Sequence, residues 1–392
     1  MSIALVHYRQ VFLHFIISIL LDYINLVFEL KFTKSAYFCT NLFGNYIKSQ
    51  ANLLTITMRH ITIKDIARSL RISVSTVSRA LTDDKNIRRE TRESVLREAE
   101  RLGYRRNPVA INLKTGRTNT IGVIVPEMHT PYAAQVVAGI QSVLYKNNQK
   151  VMIAESDESP ERERMNLQMM EEFMVDGLIV SMCSWRKNTD IYKRLIAEGL
   201  PIVFYDRLPH GMENVAQVIV DDVNDSFFMT EHLIRLGRRR IAFLYGPEDI
   251  YNSVERGRGY CEAMEKFNLY DKQLIINTGM TFADGAAAVD QLVRTGVEFD
   301  AIYAFTDTLA IGAINRLREI GKTIPDDVVV AGFSGTELST IVFPQLTTVE
   351  PPLEDMGRCA AEMVLEKVSN PETENRKVVM RTDMKLRAST GE

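Results

Sequence analysis

Ser73, Ser75, Thr76, Ser78 and Arg79 place four hydroxyls and one guanidinium within seven positions. Hydroxyls at Ser73, Thr76 and Ser78 suit contacts to phosphate oxygens, which set register without reading sequence. Val74 and Ser75 are small enough to approach base edges, and the fork of Arg79 has the geometry to reach O6 and N7 of guanine. A second set lies far downstream. Arg256 offers a fork of N–H donors and Asp307 an acceptor carboxylate, with Thr306, Phe333 and Ser334 as neighbours, a combination suited to a polyhydroxylated or carboxylated small molecule. The first set points to duplex DNA and the second to a soluble effector.

The chemistry of an enzyme is not evident. The four cysteines, Cys39, Cys183, Cys261 and Cys359, lie far apart without a CxxC pair, so they read as free thiols of a reducing, cytoplasmic compartment. The six histidines show no HExxH or similar spacing, and no metal or cofactor is expected. Gly257 to Gly259 reads GRG but does not directly follow a strand and lacks the third glycine of a dinucleotide fingerprint; neither GxSxG nor a P-loop occurs.

The elements that must hold the first set are legible. In TIKDIARSLRISVSTVSRALTDD, Ile63, Ile66, Ala67 and Leu70 recur at helical spacing, and after Arg71-Ile72 the N-cap residue Ser73 opens a second apolar face of Val77, Ala80 and Leu81. A third helix, TRESVLREAERLGY, turns Val95, Ala99 and Leu102 inward. Such a trihelical unit lays its second helix in a major groove; a generic protein-binding bundle is the competing reading. Charge favours DNA. Residues 58–118 carry 15 Lys and Arg against 7 Asp and Glu, a net of +8, whereas residues 119–392 carry 28 against 41, a net of -13. A basic module beside an acidic body is the footprint of a protein whose one end meets phosphates, although a solvated charged face would look the same.

From Thr120 onward short apolar runs alternate with helix-compatible stretches: IGVIVP, KVMIAES, GLIVSMC, PIVFYD, IAFLYG, AIYAFTD and VVVAGFS. Strands apolar along their whole length, separated by helices, indicate parallel sheets covered on both faces. Two doubly wound lobes with a ligand cleft at the strand carboxyl ends are expected, with a chain crossing near Thr347 to Pro351 and others elsewhere. Asp307 follows one such strand and Arg256 another; a helix N-cap is the alternative for Asp307, and a plain surface charge for Arg256.

The strings DIARSLRISVSTVSRAL and TRESVLREAERLGYRRNPVAINLKTGRT closely resemble the lactose-repressor/galactose-repressor family, and the resemblance extends over nearly all of residues 60–390. It implies an all-α helix-turn-helix head joined by a hinge helix to a periplasmic-binding-protein-like α/β body. It also implies base reading by Val74, Ser75 and Arg79, and effector contact by Arg256 and Asp307. Asn107 to Lys114 resembles the hinge that enters the minor groove as a dimer pair; Ala110 would let it sit close to the groove floor, and Leu113 matches the residue wedged into the central base step. A packing role in a linker is the other reading of Leu113. The expected organisation is an N-terminal extension at 1–57, a DNA-binding head at 58–106, a hinge at 107–118 and a ligand-binding, dimerising body at 119–392. Operator DNA, a small-molecule effector and a second copy of the chain are the expected partners, and a membrane is not. An exported solute-binding protein would share the lobes but have no use for residues 62–118.

Two departures from the family pattern stand out. Arg88 occupies the place of a Ser or Thr cap on the third helix, where a basic residue opposes the helix dipole. GFSG puts Ser334 where an acidic residue is common, which favours an acidic or phosphorylated sugar over a neutral hexose held by two carboxylates. The first 57 residues include VFLHFIISILLDYINLVFEL, interrupted by His14, Asp22 and Glu29. A secretory signal would need a small-residue cleavage site, and a membrane helix would carry these polar groups at a cost; translation starting at Met58 is the reading expected here.

Overall fold

The structure, a computed structural model, describes residues 61–82, 84–104, 117–212 and 214–392. The N-terminal extension and the hinge positions Asn107, Ala110 and Leu113 lie outside these. The chain divides into two units, Met1–Asn107 and Pro108–Glu392.

The described part of the first unit has three helices, α1 (Ile63–Leu70), α2 (Val74–Leu81) and α3 (Arg89–Leu102). Their core is Ile66, Ala67, Val77, Ala80, Leu81, Val95 and Ala99, with Ile63, Leu70 and Leu102 packed at its margin, as the periodicity predicts. Asp65 closes the start of α1 by accepting from the backbone N–H of Thr62 at 3.0 Å and from its hydroxyl at 2.7 Å. Arg71 ends α1 in left-handed backbone, which makes the turn into α2 tight. Arg88 is indeed the N-cap of α3, and its side chain makes no capping bond.

The second unit is two open sheets. The first lobe has strand order β11-β5-β4-β3-β1-β2 and the second β12-β10-β9-β8-β6-β7. Here β1 is Thr120–Val125, β2 Lys150–Glu155, β3 Gly177–Val180, β4 Ile202–Tyr205, β5 Ala216–Val220, β6 Ile241–Tyr245, β7 Ile275–Asn277, β8 Ala301–Ala304, β9 Val329–Phe333, β10 Thr347–Glu350, β11 Lys377–Met380 and β12 Asp383–Lys385. All pairings are parallel except that of β10 with β12. The seven apolar runs are seven of these strands. Edge strands β11 and β12 escaped the sequence reading because they are short and half polar, whereas β5 is buried throughout and was simply not singled out.

The covering helices follow the strands: α4 (Pro131–Lys146), α5 (Pro160–Glu172), α6 (Thr189–Ala197), α7 (Asp222–Arg235), α8 (Tyr251–Lys266), α9 (Phe282–Thr295), α10 (Asp307–Glu319), α11 (Leu338–Ile341) and α12 (Leu353–Ser369). Because α7 packs on α8 and α12 on α4, the chain changes lobe three times: at Asp221, at Pro351-Pro352 and at Arg381-Thr382. The crossing expected near Thr347 to Pro351 thus falls at its far end, since Thr347 to Glu350 is itself a strand.

Candidate functional site

On α2 the hydroxyls converge. Ser73 Oγ accepts from the backbone N–H of Thr76 at 3.0 Å and lies 2.7 Å from both Ser75 Oγ and Thr76 Oγ1. Ser73 therefore caps the helix first, and any phosphate contact is made by what remains of its hydroxyl. Val74, Ser75 and Arg79 are exposed, and Ser78 is half-buried on the same side, while Val77, Ala80 and Leu81 face the core. The outward face that sequence assigned to DNA is outward in the structure. Elsewhere in the head, Arg101 and the Ser69 hydroxyl both bond Glu98, and these bonds hold its carboxyl near 2.

In the body, residues at and beyond the carboxyl ends of strands from both lobes line a cavity that is open to solvent. The first lobe contributes Glu127, His129, Thr130, Tyr132, Glu158, Asp206 and Arg207; the second contributes Asn252, Arg256, Met280, Phe305, Thr306, Thr308 and Ser334. Arg256, on α8, is 3% exposed, which removes the plain-surface reading. Its Nε donates to Asp222 Oδ1 at 2.7 Å and its Nη1 to the Phe305 carbonyl at 2.9 Å, while the guanidinium carbon sits 3.6 Å from the centre of the Phe333 ring. Burial pushes the Asp222 carboxyl up to about 7 against the pull of Arg256, with Asp206 adding to the rise.

Asp206 ends the run PIVFYD in left-handed backbone, φ 59°. One of its oxygens, Oδ1, accepts from the Tyr132 hydroxyl at 2.7 Å and from Asn252 Nδ2 at 2.9 Å, so a first-lobe carboxylate is bonded to a second-lobe amide. Arg207 grips Glu158 through two bonds of 2.8 and 2.9 Å. Ser334 is held at φ 148°, a region costly for any residue but glycine.

The effector residues expected from sequence divide here. Arg256, Thr306 and Ser334 line the cavity together. Phe333 does not line it; its ring is fully buried beneath Arg256. Asp307 requires a correction. It is the first residue of α10, whose N-cap is Thr306, so it is neither the cap nor a cavity wall. Its Oδ2 accepts from the Gly335 N–H at 2.9 Å and its Oδ1 from the Thr348 hydroxyl at 2.6 Å. A Cβ on Gly332 would collide with Oδ1, so that glycine makes room for the carboxylate in the interior, and Gly335 takes φ 63° with its own Cβ position blocked by Glu350. Asp206, Arg207, Asn252, Glu127 and Glu158 were missed. Extending the strand-end rule to the first lobe would have found Asp206 and Arg207, at the end of PIVFYD, and Glu127, after IGVIVP.

Comparison with known proteins agrees with both halves. The bacterial regulatory proteins of the lacI family match residues 62–107, and a periplasmic binding protein-like domain matches residues 230–390. Catabolite control protein A of Priestia megaterium is 32% identical over 324 residues, which span 82% of this chain and 96% of that protein. The chain belongs to the LacI family. Within it, the HTH-type transcriptional repressor PurR of Aliivibrio fischeri is 30% identical over 336 residues, covering 84% of this chain and 98% of the relative. A solved complex of the transcriptional regulator CelR with cellobiose superposes with a TM-score of 0.63 at 28% identity, over 84% of this chain and all of that one. The lac repressor dimer bound to operator and an anti-inducer superposes with a TM-score of 0.74 over 85% of this chain and 99% of its own; at 22% identity this speaks to the fold. This LacI-family member is a DNA-binding transcriptional regulator and not an enzyme. Among its described residues no group of His, Cys, Asp and Glu is arranged to hold a metal ion, and no helix is long and apolar enough to cross a membrane.

Proposed function

We propose that this chain is a cytoplasmic, homodimeric repressor that binds an operator through α2 and releases or tightens its grip as a small molecule fills the cavity between the lobes. The observation that carries this reading is the pairing, in one chain, of an exposed hydroxyl-and-arginine helix face with a polar cavity built from both lobes. Val74, Ser75 and Arg79 read bases, Ser73, Thr76 and Ser78 set register on phosphates, and Asn107, Ala110 and Leu113 form the minor-groove tether. Arg256, Thr306 and Ser334 contact the effector, joined by Asp206 and Asn252. Residues 58–106 are the head, 107–118 the hinge and 119–392 the sensing and dimerising body.

Support comes from solved relatives that this chain covers over nearly their whole length. CelR was solved with cellobiose, another LacI-family regulator from Enterococcus faecium with ribose, and the lac repressor as a dimer on its operator. A sugar is accordingly the effector class. The ligand acts by population shift, changing operator affinity only by as much as it prefers one arrangement of the lobes. A gel shift of the purified chain against DNA from upstream of its own gene, with and without a panel of sugars, tests this. Specific retardation that a sugar alters is expected; no preference over random duplex at moderate salt under any condition would sink the reading.

A further inference from the structure

The cavity wall carries both signs of charge, but its guanidiniums are paired and two of its carboxylates are not. Both lining guanidiniums are already engaged by carboxylates: Arg207 by Glu158 at 2.8 and 2.9 Å, and the buried Arg256 by Asp222 at 2.7 Å. Two lining carboxylates have no such match. Among the described residues, Asp206 and Glu127 make no ion pair with Arg or Lys; Glu127 accepts from Thr130 and faces His129 Nδ1 at 3.0 Å.

Hydrogen-bonding capacity has the same bias. Asn252 gives its amide donor group to Asp206 at 2.9 Å and to Asp222 at 3.3 Å. Its carbonyl oxygen, on a side chain of the cavity wall that is 3% exposed, has no partner in the protein. An amide oxygen only accepts, and leaving it unmade in a buried place is costly. The second oxygen of Asp206 is likewise an acceptor. A ligand satisfies this corner by donating. A sugar hydroxyl does so and can accept in turn from Ser334 or Arg256; a carboxylate or phosphate cannot donate, and it would bring its charge against Asp206.

We propose that the cavity selects a hydroxyl-bearing sugar that carries no negative charge, and that Asp206, flanked by Asn252, is the residue that turns anionic sugars away. This reverses the expectation drawn from Ser334 alone, and it rests on the effector reading given above.

The test is calorimetric titration of the full chain with neutral aldoses and disaccharides, each beside its uronate and its 6-phosphate. At least one neutral probe should bind tenfold or more tightly than its uronate and its 6-phosphate. Asp206→Asn should shrink the ratio of acid to neutral dissociation constants at least threefold. Glu127→Gln should move the same ratio the same way, by less, and serves if the first variant does not fold. A uronate or phosphate binding more tightly than its neutral parent overturns the charge assignment and leaves the regulator reading intact. So does an unchanged ratio in the folded variants. Absence of binding by every probe overturns this inference together with the effector reading on which it rests.

Discussion

Arg256 Nε and Asp222 Oδ1 meet at 2.7 Å, one residue beyond the point where the chain first leaves the first lobe. The pair is buried on both sides, at 4% and 3% side-chain exposure. Removing one partner strands the other charge without water, so Arg256→Ala should destabilise the body by about 3–5 kcal/mol. Arg256→Lys keeps the charge but loses the fork that also reaches Phe305, and should fall between wild type and Ala. Urea denaturation of the three proteins checks the order.

Asp307 should behave as a structural residue. Asp307→Ala leaves the Gly335 N–H and the Thr348 hydroxyl without their acceptor. A cost of about 1–3 kcal/mol for each unsatisfied group is expected. Effector affinity of the folded fraction should change less than threefold by calorimetry; a tenfold loss would return Asp307 to the cavity wall.

The acid side of the stability profile has a definite sign. Burial pushes Asp222 up to about 7, and Asp225 and Asp307 up to about 6. For a carboxyl raised on folding, the native state holds its proton more tightly than the unfolded chain, so these groups contribute stability that is present at low pH and lost as pH rises from about 4 toward their folded values. The melting temperature should therefore rise from pH 7.5 to pH 5.5, and Asp222→Asn should flatten that slope. A wild-type profile that falls over this interval would contradict the buried placement of the three carboxyls.

On the head, two substitutions separate folding from reading. Ser73→Ala removes the cap bond to Thr76 and should cost about 1 kcal/mol of stability. Arg79→Ala should leave the melting temperature unchanged while relaxing operator preference by about 1–3 kcal/mol. Circular dichroism melts and competition gel shifts with single-base operator variants distinguish the two; equal discrimination by Arg79→Ala and wild type would remove Arg79 from base reading.

The single tryptophan sits across the lobe boundary. Trp185, after β3 of the first lobe, donates through Nε1 to the Glu248 carbonyl at 3.1 Å and through its backbone to Asp249 at 3.0 Å, both just after β6 of the second. Its emission should shift when an effector changes the spacing of the lobes, and Trp185→Phe should abolish the signal. Emission unmoved at calorimetric saturation would mean that binding leaves this contact unchanged.

Much of this protein was readable before any coordinates. Helical periodicity decided the head, because three short helices must each turn one stripe inward, and that alone put Ser75 and Arg79 outside. Apolar runs fixed the two parallel sheets, because strands covered on both faces have no polar side to show. The strand-end rule picked out Arg256, Thr306 and Ser334, which line the cavity. It misjudged Asp307, since position in the chain gives the end of a strand but not the direction of the next side chain. Which charges meet was a matter for the tertiary structure. Arg256 and Asp222 are 34 residues apart and Asp206 and Asn252 are 46 apart, and each pair forms only because separate strand ends converge. Local pattern determines which face of an element is buried, since that depends on neighbours three or four positions away. The net charge and free acceptors of a cavity depend on contacts of long range, and only the folded chain brings those together.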